Sequence, residues 1–309
     1  MAKQLNQILH YWLLFGIFWI LAKLPNSFGF AIGKLLGKLF FLFPTRAKDT
    51  TLKNLKLSFP HLTEKQRYKL AKRNFINVGI SIIETSIAWV SPINKISTKF
   101  SIEGLENIEK SFAKGKGILL ITSHFTSVEL AARFIGSLDN FGILYKPHKK
   151  TNFAFMQNKF RQPHFKTYIA SNEVKRLIKA LKLNKAIWYA YDIDDKKKRS
   201  IFAPFFDIPT RTLTTAADLA KITGASLVPM RYCRNHDNKT YKIVFGEPLN
   251  NLADQSSLAV ATNLNKEIES AIKQNPDQYI WQYKRFKTRP PGEKRFYFSS
   301  NFPPRWIGN

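Results

Sequence analysis

The order of apolar and polar positions divides the chain into three regimes. Residues 9–24 and 28–43 are apolar almost throughout, interrupted by His10, Lys23, Lys34 and Lys38. From Asp49 to Trp89 apolar positions recur at helical spacing, with a break at Ser58, Phe59 and Pro60, a capping Thr63 before a long helix, and Pro92 as its stop. Beyond that point short apolar, β-branched runs predict strands at 100–102, 118–123, 142–145, 186–190 and 225–230, with an edge strand at 241–245. Helical stretches fall between or after them at 108–113, 128–135, 214–223 and 258–272, with Gly224 placed to end the third. Strands alternating with helices predict an α/β fold: a single domain over residues 46–309 with a mostly parallel central sheet flanked by helices. No internal repeat is evident.

The N-terminal regime has the character of a membrane anchor. A full bilayer span needs about 20 apolar residues, so residues 9–24 reach it only with Ile8 added and Lys23 snorkelling to the interface. The following stretch carries Lys34 and Lys38 four apart as a narrow polar stripe, which suits a helix lying in the interface. Ala22-Lys23-Leu24-Pro25 is a poor cleavage site, so residues 1–45 are expected to be a retained anchor and interfacial helix. Lys34, Lys38, Arg46, Lys48, Lys53 and Lys56 follow the apolar core and only Lys3 precedes it, which is expected to put the remaining chain on the cytoplasmic side. The alternative is a hydrophobic helix buried in the domain.

Charge narrows the partners. Lys plus Arg total 49 against 21 Asp plus Glu, a net charge of +28 on 309 residues, and such a surface attracts nucleic acid, an acidic membrane, or an acidic protein or substrate. With 26 Phe the aromatic content favours apolar packing and bilayer contact over base stacking. Cys233 is the one cysteine, which excludes an intrachain disulfide and a cysteine metal site.

Candidate chemistry gathers where the predicted strands end. His124 follows the 118–123 run, with four residues between it and Glu129 at the start of a helix. A carboxylate on Nδ1 of a histidine fixes the tautomer and leaves Nε2 to take a proton from a hydroxyl, so Glu129 is expected to orient His124. The plainer reading makes His124 a buried structural histidine and Glu129 a first-turn acid on the helix dipole. Ser123, Thr126 and Ser127 supply hydroxyls for substrate binding or capping. Lys146, Asp192 and Asp194 also follow strands, and open α/β sheets place their ligands at those ends. A metal on Asp192 and Asp194 lacks a third well-spaced ligand, so Asp192 is expected to orient a basic group or the acceptor. The run 196–199 (Lys-Lys-Lys-Arg) and the basic tail from Trp281 onward are solvated faces or sites for phosphate and carboxylate.

Taken in order, these blocks resemble the lipid A late acyltransferases, membrane-bound enzymes of the lysophospholipid acyltransferase superfamily. The resemblance runs from the anchor to about Pro290. His124-x4-Glu129 is similar to the family's catalytic His-x4-Asp/Glu, with Thr126 and Val128 where Gly and Trp are usual. Tyr145-Lys146-Pro147 resembles a Tyr-Arg-Pro segment, and Asp192-Ile193-Asp194 an Asp-x-Asp after a Trp-Tyr-Ala strand. The block from Phe202 to Thr212 resembles a Phe-Phe-Gly-x-Pro-Ala-x-Thr pattern, with Asp207 for the Gly and Thr210 for the Ala. Residues 276–290 are similar to a C-terminal signature in which Tyr283 replaces a His.

The resemblance implies an O-acyltransferase that moves a fatty acyl chain from acyl carrier protein to a hydroxyl of a lipid A precursor, with His124 and Glu129 catalytic. Lys146, Asp192, Asp194, Arg211 and Arg285 would then meet the substrate. It implies no cofactor and no metal, and as partners acyl carrier protein, a phosphorylated glycolipid and an anionic membrane, without nucleic acid. Gly-x-Ser-x-Gly is absent, which argues against a serine acyl-enzyme. Two other readings stand beside it: an acyltransferase for a glycerophospholipid or a phosphatidylinositol mannoside, and a nonenzymatic basic membrane- or nucleic-acid-binding protein.

Overall fold

The computed structural model describes residues 2–147, 159–194, 199–237, 240–249 and 255–297, with side chains from residue 12 onward. Three residues of the basic run at 196–199 and the end of the C-terminal tail lie outside the described residues.

The core is a seven-stranded sheet. In chain order its strands are β1 (Phe100–Glu103), β2 (Ile118–Thr122), β3 (Phe141–Tyr145), β4 (Thr167–Ala170), β5 (Ala186–Ala190), β8 (Ser226–Arg234) and β9 (Tyr241–Phe245). They lie side by side as β1-β9-β8-β2-β5-β3-β4, all neighbours parallel except β8 and β9. β2 is buried at every position, as its unbroken apolar run requires of a strand covered on both faces. The expected strands are all present. β4 was not anticipated, because a four-residue strand followed by a basic helix leaves little periodicity to read.

A two-stranded antiparallel hairpin, β6 (Ser200–Phe205) and β7 (Ile208–Leu213), stands apart from the sheet. Phe206 and Asp207, which join its strands, have positive φ (50° and 59°), the backbone that a two-residue hairpin loop requires. The departure from Gly at 207 is therefore met by an aspartate, a residue that tolerates this region. The Phe206 amide also donates to Glu269 Oε1 at 2.8 Å, fixing the turn from outside.

Helices cover both faces of the sheet. α3 (Arg46–Ser58), α4 (Glu64–Val90) and the short α5 (Asn94–Ser97) precede it, and α6 (Leu105–Ala113), α7 (Val128–Ile135), α8 (Val174–Lys182), α9 (Thr215–Thr223) and α10 (Ser257–Gln274) alternate with its strands. Thr63 forms a reciprocal capping box with Gln66 at the start of α4. Gly224, at φ 75°, ends α9 in the left-handed cap its position predicts.

The two N-terminal helices, α1 (Ala2–Lys23) and α2 (Asn26–Leu42), are antechambers to α4 and not a detached unit. α2 buries Gly29, Phe30, Gly33, Gly37 and Phe41. A Cβ on Gly37 would sit 2.3 Å from the Phe75 carbonyl oxygen, and one on Gly79 of α4 would sit 2.1 Å from that of Gly33. The glycines thus let two backbones touch, the packing that small residues four apart allow. Among the described residues no single helix is long and apolar enough to cross a membrane, and the apolar part of α1 is the short stretch Trp12–Lys23. Trp12, Leu13, Ile17, Trp19 and Ile20 of α1, and Phe28, Leu35, Leu39, Phe40 and Leu42 of α2, remain exposed.

Candidate active site

The strand order explains where the candidate residues lie. β2 and β5 are sheet neighbours, and their last registered pair is Thr122 with Ala190. Two residues further along each strand stand His124 and Asp192, so the register that aligns the strands carries these side chains out together at their C-terminal ends. Asp192 Oδ1 lies 2.7 Å from His124 Nδ1, and its Oδ2 accepts the His124 main-chain N–H at 2.9 Å. The carboxylate is 2% exposed, whereas the imidazole is 38% exposed and reachable by a substrate.

Electrostatics assigns the tautomer. Burial would push the Asp192 carboxyl up, but the charge of His124 and its two hydrogen bonds, with a contribution from Arg285, hold it below the usual carboxylate range. It is an ionised acceptor, so Nδ1 carries the hydrogen and Nε2 keeps its lone pair. Burial would depress the His124 pKa, but the Asp192 charge and hydrogen bond more than offset it, and the net shift is upward despite the opposing charge of Arg161.

Glu129 does not touch His124 Nδ1, and this corrects the expectation that it orients the base. It lies in the first turn of α7 and turns toward α4, where it accepts the Trp89 indole N–H at 3.0 Å. Arg161 donates to both of its oxygens, Nε to Oε2 at 3.1 Å and a terminal nitrogen to Oε1. Arg161 also interacts with the Tyr168 hydroxyl, whose ring stacks on Tyr145 at 4.0 Å. The physical reason is strand order: β5 inserts between β2 and β3, and that insertion brings a closer carboxylate to the ring than the one five residues along the chain. Arg161, Trp89 and Tyr168 were missed by the sequence reading. Arg161 adjoins a stretch of mixed polarity with no motif, and Trp89 reads as a helix-end apolar residue.

The loop after β2 is held on several sides. The Phe125 amide donates to the Tyr232 hydroxyl at 3.2 Å, and that hydroxyl donates to the Ser123 carbonyl at 2.7 Å. The Tyr279 ring meets Phe125 edge-on, and the two residues form an isolated antiparallel bridge. The side chains of Thr126 and Ser127 are buried, and Ser127 is the residue before α7 without making a side-chain cap.

The remaining expected residues divide. Lys146 is exposed at the end of β3, on the same edge of the sheet as His124, and Arg211 is half-buried on β7. Asp194 is buried and accepts from the Thr288 amide at 2.9 Å and the Thr288 hydroxyl at 3.1 Å, while its main chain exchanges hydrogen bonds with the Tyr283 hydroxyl. Arg285 is buried, donates to the Arg211 carbonyl at 2.7 Å, and sits 4.9 Å from the centre of the Phe205 ring. Both residues join the C-terminal segment to the sheet edge and the hairpin, and Tyr283, where a His was expected, is part of that join.

The chain is similar to known proteins along most of its length. The sequence profile of the family described as bacterial lipid A biosynthesis acyltransferase matches residues 2–288. A lipid A biosynthesis palmitoleoyltransferase of Escherichia coli (strain K12) is 31% identical over 302 residues, covering 96% of this chain and 98% of the relative. The lipid A biosynthesis lauroyltransferase of the same organism is 34% identical over 282 residues, covering 91% and 92%. A lipid A biosynthesis myristoyltransferase from that organism is 24% identical over 288 residues, covering 92% and 88%.

Proposed function

The chain belongs to the bacterial lipid A biosynthesis acyltransferase family and is an O-acyltransferase; from that premise we propose that His124, oriented by Asp192, is the general base of direct acyl transfer from acyl carrier protein to a hydroxyl of a lipid A precursor. The observation that carries the proposal is the 2.7 Å contact between the Asp192 carboxylate and His124 Nδ1, which leaves a basic Nε2 on a partly exposed ring.

In this mechanism Nε2 removes the proton of the acceptor hydroxyl as its oxygen attacks the thioester carbonyl. A tetrahedral intermediate forms, then collapses with loss of the thiolate, which takes the proton back from the imidazolium. The ester and the free thiol are the products, and the histidine returns to its starting tautomer. Asp192 stays ionised and stabilises the transient positive ring, as the carboxylate does in serine hydrolase triads. Glu129 holds Arg161 beside the histidine, and Lys146 at the end of β3 supplies a cationic group for a phosphorylated glycolipid.

The exposed apolar side chains of α1 and α2 are proposed to seat the enzyme on the inner membrane, with Lys34 and Lys38 at the headgroups and the catalytic domain on the cytoplasmic side. That placement brings the mouth of the site toward a lipid acceptor. The test is reconstitution: purified protein, an acyl-acyl carrier protein and a lipid A precursor, with the product read by mass spectrometry. A precursor heavier by one acyl chain supports the reading. Acylation of a glycerophospholipid in its place, with the precursor untouched, overturns it.

A further inference from the structure

The strap that backs the histidine loop is itself held by buried amides, with Asn74 at its centre, Asn77 at its start and Asn54, whose Nδ2 donates to the Trp281 carbonyl at 2.7 Å, near its end. Residues 277–282 run between α4 and the loop at 124–126. On the loop side, the Ile280 amide donates to the His124 carbonyl at 2.9 Å, and the Thr126 amide donates to the Gln278 carbonyl at 2.7 Å. On the helix side, Asn74 of α4 is fully buried, and its Nδ2 donates to the Asp277 carbonyl at 3.0 Å and the Tyr279 carbonyl at 2.7 Å. Its Oδ1 accepts from Gln282 Nε2 at 2.8 Å. A second amide, Asn77 Nδ2, shares the Asp277 carbonyl at 2.8 Å.

Each main-chain N–H from His124 to Thr126 is therefore taken by a group outside the loop: Asp192, Tyr232 and Gln278. The first two come from the sheet, and the third comes from the strap. Without the strap the loop would be pinned on one side only, and the ring could swing away from Asp192. Asn74 has the composition this task needs, since two donors meet two carbonyls while one acceptor meets an amide. A carboxylate there would face the carbonyl oxygens, and an apolar residue would take the Asn74 donor from the Tyr279 carbonyl and leave Asp277 to Asn77 alone.

We propose that Asn74 is a positioning residue for the acyl transfer: through the strap at 277–282 it fixes the main chain of His124, and with it the approach of the base to Asp192 and the acceptor hydroxyl. The inference rests on the reading of His124 as the base. It makes α4, which also receives α2, part of the catalytic frame.

The experiment compares Asn74→Ala with Asn265→Ala in the full-length, detergent-solubilised enzyme. Asn265 is a buried asparagine on α10 whose Nδ2 donates to the Pro204 carbonyl at 2.8 Å and Thr212 Oγ1 at 3.1 Å, away from the loop. A displacement of about 1 Å at a reacting group can cost about 10²-fold, so Asn74→Ala is expected to lower kcat at least about tenfold per folded molecule, with KM little changed. The imidazole of His124, followed by NMR of ¹³C-labelled histidine, should titrate nearer to the ordinary value of about 6.5 as its hold on Asp192 loosens. Asn265→Ala should lower the melting temperature and move neither quantity. Where the alanine variant fails to accumulate folded protein, Asn74→Ser, which keeps one donor, is read by the same two measures.

Unchanged kcat per folded molecule, or a loss of rate with an unmoved His124 titration, overturns the inference. His124→Ala is assayed alongside. If it retains transfer, the reading of the base fails; if it is inactive while the Asn74 variants keep full kcat, only the role of Asn74 fails.

Discussion

Asp192 grips His124 twice, one carboxylate oxygen on the ring and the other on the main-chain amide of the same residue. A single carboxylate thus fixes both where the histidine sits and which nitrogen is free. Asp192→Asn presents an amide to Nδ1, favours the wrong tautomer and removes the charge that raises the His124 pKa. Positioned acid–base groups contribute about 10² to 10⁴ in rate, and a loss within that range is expected.

The sign of the pH effect follows from the same pair. A base must be neutral to act, and its folded pKa is above the ordinary value, so activity falls as pH drops through that raised value. Asp192→Asn should move the acidic limb of the kcat/KM profile to lower pH while lowering the plateau. For stability, a raised histidine pKa contributes fully below about 6.5 and is lost as pH rises through the folded value. The depressed Asp192 pKa contributes above about 3.9 and is lost as pH falls below it. A pH–rate profile of the variant that keeps its acidic limb in place would show that Asp192 does not act on the ring.

Glu129 and Arg161 form an ion pair that is mostly out of water. Removing one partner of a buried pair costs about 3–5 kcal/mol, because the other charge is stranded. Glu129→Gln is expected to fall near the low end, since some solvent reaches both groups, and to lose activity as Arg161 shifts beside the base. The double variant Glu129→Gln/Arg161→Met should melt higher than Glu129→Gln alone. Additive losses in the two single variants would mean that the pair is not coupled.

Much of this was legible in the sequence, and the part that was not has one cause. The period of the apolar runs found six of the seven sheet strands, and local signals such as Thr63 with Gln66, and Gly224, placed helix ends within a residue or two. The location of His124 at a strand end was legible too. Its partner was not, because Asp192 and His124 are 68 residues apart and meet only when β5 pairs with β2. Chain proximity favoured Glu129, and sheet order favoured Asp192. Trp89 and Arg161 were hidden for the same reason: each contact to Glu129 spans more than thirty residues of chain. The packing of α2 on α4 was hidden for the same reason, since Gly33 and Gly79, whose backbones touch there, lie far apart in the chain.

That contact makes a sharp prediction for stability. Gly79→Ala places a Cβ 2.1 Å from the Gly33 carbonyl oxygen, and a backbone cannot yield as a side-chain tip does. Overpacking of this kind costs about 1–3 kcal/mol, and the melting temperature should drop with α2 pushed off α4. Gly16→Ala in α1 meets nothing within 4 Å and should gain stability, by about 0.5–1 kcal/mol from the helix preference of Ala over Gly. Equal effects of the two variants would contradict the close approach.

On the proposed membrane seating, the exposed face of α1 and α2 sets how the enzyme meets a lipid surface. Each large apolar side chain moved out of water is worth about 1.5–3 kcal/mol, whereas a lysine near an anionic leaflet adds about 1 kcal/mol and is screened by salt. Trp12, Leu13, Ile17, Ile20, Leu35 and Leu42 are all exposed, so the apolar contribution outweighs that of Lys34 and Lys38 several times over. Vesicle flotation of the purified protein should therefore show binding that weakens, but persists, when salt is raised to about 1 M, where the screening length is about 3 Å. Ile17→Glu together with Leu35→Glu should release more protein than Lys34→Gln together with Lys38→Gln. Complete release by salt alone would mean that headgroup charge holds the protein, and that these side chains stay in water or meet another surface.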